Sequence, residues 1–277
     1  MKNLGITRKG RFSILDITLL MSKINGRSMI KKLLDFFEKE ERKKLVLESV
    51  VEEYIKTGEP VSSKTICFNY EIFVSSATIR NDFLKLTQDG YLHKLHASSG
   101  RVPTNKAWKF FRDNIVNAVF DGHKEEVRDL KESLNKKIRK SVKPEELEKL
   151  LEILAKESYS FGFCYLTDKG EVVKKGLKYV FSRALIDNYE EKADDVLMTI
   201  KKIVEAWDNL DEKLKKISIK KSPLILIGKE NPFIKDDDFS SLMTETLDKK
   251  YVLGILGPKR MSYDRNLVLL DTIAEMI

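Results

Sequence analysis

The segment from Val74 to Thr104 constrains the fold more than any other part of the chain. Within it Ile79, Phe83 and Leu86 recur at i, i+4 and i+7, which puts them on one apolar face of a short helix. Ala77, Arg80 and Asn81 fall on the opposite face, with Thr78 and Lys85 at its edges. Leu84 also points partly outward, and the periodicity gives no reason for an apolar residue there. Ser75 stands where a hydroxyl satisfies the free N–H groups of a first helical turn, and Gly90 ends the run. Tyr91–Leu95 and Arg101–Pro103 then flank the turn-forming residues His96-Ala97-Ser98-Ser99-Gly100, which predicts a two-stranded hairpin. A short helix followed by a basic hairpin is how a winged helix-turn-helix sets one element in a DNA groove and another on the phosphates.

The flanks agree with this reading. Leu47, Val50, Val51 and Tyr54 form the apolar stripe of a preceding helix, stopped by Thr57-Gly58-Glu59-Pro60. Ser62 or Ser63 caps a second helix running through Ile66 and Tyr70, and a turn follows near Glu71–Phe73. After the hairpin, Trp108, Phe111 and Ile115 mark the inner face of a helix leaving it. Charge is distributed to match. Residues 1–120 hold 21 Lys and Arg against 13 Asp and Glu, whereas residues 121–277 hold 30 of each, so the whole excess of +8 lies in the amino-terminal half. A basic half joined to a neutral one implies an anionic partner for the first only.

The rest of the chain reads as an α+β domain. Strands are predicted at Ser160–Thr167, Val172–Phe181, Leu224–Ile227, Leu242–Leu247 and Tyr251–Leu256. An amphipathic helix carries Leu147, Leu150, Leu151 and Leu154, and Ser262 caps a last helix with Leu267, Leu270 and Ile273 inward. A long helix near Tyr189–Ile217 places Val196, Ile200, Ile203, Trp207, Leu210, Leu214 and Ile217 at 4-3 spacing. That stripe is either a dimer seam or packs on the sheet of its own domain, and the second is the commoner use. Four segments result: an amino-terminal extension at 1–40 with a short helix near Ile17–Ile24, a winged-helix DNA-binding domain at 41–115, a helical linker at 116–155, and a regulatory and dimerisation domain at 156–277.

Other chemistries find little support. Cys67 and Cys164 are far apart, in neither a metal-ligand spacing nor a disulfide framework, which suits a reducing cytoplasm. No apolar run approaches the ~20 residues of a membrane span. His93, His96 and His123 have no ligand partners at metal spacing. Asp236-Asp237-Asp238 lacks the rest of a calcium loop and reads as a solvated turn. Gly254-Ile255-Leu256-Gly257-Pro258-Lys259-Arg260 is neither a P-loop nor a dinucleotide fingerprint, and reads as a structural turn. No nucleophile, base and orienting group assemble from neighbouring motifs, so neither an enzyme nor a cofactor is expected.

The third helix carries the side chains that read DNA. Arg80 matches guanine O6 and N7, Asn81 matches adenine N6 and N7, Ala77 allows close approach and contact with a thymine methyl, and Thr78 joins them in reading bases. Ser75, Ser76, Lys64, Ser98, Arg101 and Lys106 are expected on phosphates, and Lys85, His96, Ser99, Gly100 and Thr104 complete the DNA-facing set. The bland alternative is a solvated face and a plain hairpin turn, that is, a winged-helix protein-interaction module.

Val50–Thr65, Val74–Asp82, Gly90-Tyr91-Leu92 and the wing residues His96, Ser98, Gly100-Arg101 and Pro103-Thr104 closely resemble the amino-terminal domain of the HrcA family of heat-inducible transcription repressors. Gly228-Lys229-Glu230-Asn231-Pro232 and Gly254–Tyr263 are similar to its far end. The resemblance covers residues 42–115 and 223–277 well and is weak between them. It implies a winged helix followed by a GAF-like domain with an antiparallel sheet, and a homodimer on double-stranded DNA at a CIRCE-type inverted repeat before chaperone genes. It also implies support of that activity by a GroEL-type chaperonin. Members carry a dimerising insert in the GAF-like domain, which is shortened or absent here. Leu95 stands where the family tends to have Pro, Ala97 where it has Thr, and Lys85 and Thr87 where it is more acidic. The alternative to a heat-shock repressor is a winged-helix regulator whose second domain senses a metabolite.

Overall fold

The computed structural model describes residues 27–277, apart from Glu71, Ala97, Ser98, 121–124, 142–145, 188–192, 218, 220 and 221. The first helix, α1 (Arg27–Thr57), ends at Gly58, whose φ of 74° lets its N–H close on the Tyr54 carbonyl at 2.9 Å before Pro60. Left-handed backbone of this kind is the usual way a glycine stops a helix. Val46, Leu47, Val50 and Val51 of α1 are buried. They receive Ile66 of α2 (Ser63–Asn69) and Ile79, Phe83 and Leu86 of α3 (Ser76–Gln88). Of the two candidate caps of α2, Ser62 is the one used, its Oγ accepting from the Thr65 N–H at 3.1 Å. Strands β1 (Leu92–His93) and β2 (Val102–Pro103) pair antiparallel as the hairpin, and α4 (Asn105–Phe120) leaves it.

Helices α5 (Glu125–Ser141) and α6 (Leu147–Ser158) lead into a five-stranded antiparallel sheet. Its strands are β3 (Phe161–Leu166), β4 (Glu171–Lys175), β5 (Leu224–Ile227), β6 (Phe239–Glu245) and β7 (Tyr251–Pro258), in the order β4-β3-β7-β6-β5. Between β4 and β5 lie α7 (Leu177–Asp187), α8 (Ala193–Asp208) and α9 (Leu210–Leu214), and α10 (Tyr263–Ala274) closes the chain. Alternate residues of the strands serve two cores, as a period of two requires. Phe161, Phe163, Met243 and Leu256 pack with Ile203, Ala206, Leu210 and Leu214 of α8 and α9. Cys164, Leu242, Leu253 and Ile255 face the other way, onto α6, α10 and the winged helix. The α+β class and the antiparallel sheet are therefore as expected, and the 4-3 stripe of α8–α9 packs on its own sheet.

Several expectations need correction. The strand at Val172–Phe181 stops at Lys175; Gly176, with φ 87°, turns the chain and α7 begins at Leu177. The fourth predicted strand begins earlier than Leu242, at Phe239, and ends at Glu245. The long helix near 189–217 is broken at Asn209 into α8 and α9. Ser262 stands at the start of α10, but its side chain makes no capping hydrogen bond. None of the expected boundaries falls at a break in structure: α1 crosses 40–41, α4 crosses 115–116 and α6 crosses 155–156. Within the helical linker expected at 116–155, Leu134, Ile138, Leu150 and Leu151 are buried in the core they share with α10. The helix expected near Ile17–Ile24 lies outside the described residues.

Candidate nucleic-acid interface

Helix α3 is held from behind and open in front. Its amino end is capped by Ser75, whose Oγ accepts from the Thr78 N–H at 3.1 Å and lies 3.0 Å from the Thr78 hydroxyl. The buried side includes a carboxylate. Asp82, 5% exposed, takes a two-pronged contact from Arg42 of α1, Nε at 2.8 Å and Nη2 at 3.0 Å. The hydrogen bonds to Asp82 raise the Arg42 pKa above its ordinary value against the opposing effect of burial. Planar fork-to-carboxylate geometry fixes orientation as well as distance, so this pair sets how α3 lies against α1. Sequence reading missed it, although Asp82 falls in the inward stripe beside Phe83, a position that needs a buried partner. On the front, Ala77, Arg80, Asn81 and Lys85 are exposed, and Ser76 and Thr78 are half-buried.

The wing is fastened at its base. Val61 and Arg101 exchange backbone hydrogen bonds at 2.9 and 2.8 Å. Gly100 makes that approach possible, because a Cβ there would sit 2.4 Å from the Val61 carbonyl oxygen and 2.6 Å from that of Pro60. Ser99 shapes the turn by bonding both the N–H and the carbonyl of His96, each at 2.9 Å. Thr104 closes the hairpin on the carbonyls of Gly90 and Tyr91 at 2.7 and 2.9 Å.

Arg101 departs from the expected phosphate contact. It is 8% exposed, its Nε donates to the Thr87 hydroxyl at 3.2 Å, and its guanidinium lies 6.0 Å from the Phe83 ring. Its charge ties β2 to α3. Lys106 is exposed, yet its Nζ donates to the Asp89 carbonyl at 2.7 Å and lies 4.2 Å from the Tyr91 ring, where a cation complements the carboxyl end of α3. Lys109 and Arg112 reach Glu230 of the second domain at 2.6 and 2.9 Å. Much of the basic excess downstream of the wing is therefore spent inside the protein. Among the described residues, Lys64, Arg80 and Lys85 are exposed on the helix side, and Lys94 and His96 on the wing. Ser98 lies outside the described residues.

The winged helix is seated firmly on the second domain. Tyr263 of α10 packs on Trp108 and Phe111 with ring centroids 6.2 and 6.1 Å away, and Lys259 lies 5.6 Å from the Trp108 ring. Burial pushes the Lys259 pKa down. The guanidinium of Arg260 fills the space where a side chain at Gly58 would go. The expected turn at Gly254–Arg260 is instead strand as far as Pro258, the end of β7, and Lys259 and Arg260 just beyond it grip the winged helix. Beside it a cleft of about 640 Å³ opens between His93, Pro103 and Asn105 on one side and Lys202, Asp236 and Asp238 on the other.

The family model of the HrcA protein C terminal domain matches residues 111–267. The chain belongs to the HrcA family. Parts of the chain match curated HrcA proteins described as heat-inducible transcription repressors. That of Acetivibrio thermocellus is 39% identical over 99 residues, 36% of this chain and 28% of the relative. That of Clostridium tetani is 45% identical over 80 residues, 29% and 23% of the two chains. In these alignments the chain spans about a quarter of the relatives' length. The HrcA repressor of Thermodesulfovibrio yellowstonii is 27% identical over 86% of this chain and 97% of its own. Its 337 aligned positions outnumber the 277 residues here, so that HrcA carries residues with no counterpart in this one. The fold is similar to the crystal structure of a hypothetical protein, with a TM-score of 0.57 at 18% identity over 84% of this chain and 96% of that one. Among the described residues no helix is long and apolar enough to cross a membrane.

Proposed function

We propose that this HrcA protein represses chaperone genes by binding an inverted-repeat operator of the CIRCE type as a homodimer. One observation carries the reading. Helix α3 presents Arg80 and Asn81 to solvent while Arg42–Asp82 fixes its inner side and Ser75 caps the end that enters a groove first. Side chains that match base edges, on a helix whose orientation is set by the fold, are what direct readout requires. Arg80, Asn81, Ala77 and Thr78 meet bases. Ser76, Lys64, Lys85 and the wing turn at His96–Ser99 meet phosphates, with Gly100, Arg101, Thr104 and Lys106 positioning the wing. Residues 27–120 form the DNA-binding unit and the sheet domain regulates it. The repressor names of the relatives support the same reading.

Gel-shift competition tests it. Operator duplex should displace bound protein far better than a scrambled duplex of the same length. Equal competition would reduce the contact to charge alone. The family resemblance further implies that a GroEL-type chaperonin raises the fraction of protein able to bind. Titrations with and without chaperonin after warming test that part, and indifference to chaperonin would remove it. The cleft beside Lys259 favours a second reading, in which a small polar metabolite occupies it and sets the wing's position. A ligand-dependent rise in melting temperature without chaperonin would support that alternative.

A further inference from the structure

Leu84 is an apolar residue on the outer face of α3. It is 51% exposed, on a helix whose buried residues are Ile79, Asp82, Phe83 and Leu86. It lies four residues after Arg80, three after Asn81 and seven after Ala77, so all four side chains share one face. Ala77, Arg80 and Asn81 are exposed, as is Lys85 beside it. A lone leucine on an ordinary surface needs no explanation. This one stands within the face that the operator-binding reading lays against base edges, and there its environment changes on binding. In the major groove the apolar feature available to such a side chain is the C5 methyl of thymine.

We infer that Leu84 reads a thymine methyl, on the far side of the bases met by Arg80 and Asn81 from the position met by Ala77. Ala77 and Leu84 are two helical turns apart, about 10 Å at a rise of 1.5 Å per residue. That distance corresponds to about three base-pair steps at 3.4 Å each. Face and spacing together place an apolar contact at each end of a polar centre. The half-site then has a thymine about three base pairs from the position beneath Ala77. The assignment rests on the operator-binding reading and goes beyond it by naming the base and the group recognised.

The experiment uses full-length protein and a duplex it enriches from a random-sequence pool. Each thymine in a half-site is replaced singly by deoxyuridine, which removes the methyl and keeps the pairing edge. At one position wild-type affinity should fall about fourfold, the equivalent of about 0.8 kcal/mol for one buried methyl-sized group. Leu84→Ala should bind the thymine duplex about fourfold more weakly and be indifferent to deoxyuridine at that position alone. Its melting temperature should match wild type, because the side chain is half exposed. A Leu84→Ala variant that keeps the full wild-type deoxyuridine profile overturns the assignment. So does a wild-type protein indifferent to deoxyuridine everywhere, or a loss on Leu84→Ala that is equal for all duplexes. If no duplex is enriched at all, the operator-binding reading falls and this one with it; enrichment without a Leu84-linked thymine defeats only the present inference.

Discussion

Replacing Arg42 by alanine removes both donors from a carboxylate that is largely shielded from water. The Asp82 side chain is 7% exposed and that of Arg42 is 23% exposed, with the salt bridge at 2.8 Å. Breaking a buried ion pair from one side typically costs about 3–5 kcal/mol, because the remaining charge is stranded. The partial exposure of Arg42 lets water reach part of the vacated space, so a loss of about 2–4 kcal/mol is expected. Urea unfolding followed by circular dichroism measures it, and hydrogen exchange of the α3 amides locates it. The paired variant Arg42→Met/Asp82→Leu should recover most of the stability, since an apolar pair of similar volume carries no desolvation cost. A loss below about 0.5 kcal/mol, the scale of an ordinary surface change, would refute the reasoning. So would a paired variant no more stable than Arg42→Ala.

Arg80→Ala and Asn81→Ala should each cost about 1–3 kcal/mol on operator DNA and much less on random DNA. Parallel titrations on the two duplexes separate base readout from backbone contact, and equal losses would count against base readout. Arg101→Ala should lower the melting temperature while leaving the slope of log affinity against log salt unchanged, since its charge is buried at the wing base; a slope smaller by about one would return Arg101 to the phosphates. Acidification should destabilise the protein through Glu157. Burial pushes its pKa up, but hydrogen bonds from Lys137 and Arg265 outweigh this and hold it below the ordinary value. Its stabilisation is therefore complete above the unfolded-state pKa of about 4.3 and is lost as pH falls through the lower folded value. Glu157→Gln should flatten the acid side of a pH–stability curve, and an unaltered curve would exclude this ion-pair cluster as its source.

Local signals were the legible ones. Ser75, Gly90 and the 79–83–86 stripe marked α3 to within a residue, because caps and apolar periodicity act over a single turn of backbone. The strand at Leu224–Ile227 was equally clear. The helix Leu177–Asp187 was not, because Tyr179, Val180 and Phe181 carry strand propensity and the turn at Gly176 decides the matter. Long-range pairings were invisible. Arg101 looks like a phosphate ligand until Thr87 and Phe83 are found on either side of it. Lys109 and Arg112 look like free charge until Glu230 is found opposite them. The face of α3 could be read from spacing, whereas the Arg42–Asp82 pair behind it spans 40 residues and no local pattern reveals it.

Footprinting of the full-length protein on the duplex it enriches tests the central claim most directly. Two copies of α3 related by a two-fold axis should protect two inverted half-sites whose centres lie a whole number of helical turns apart, at about 10 base pairs per turn. Protection should collapse in Arg80→Ala while the protein stays folded. A single asymmetric half-site with one protomer bound, or uniform protection unaffected by Arg80→Ala, would contradict the account.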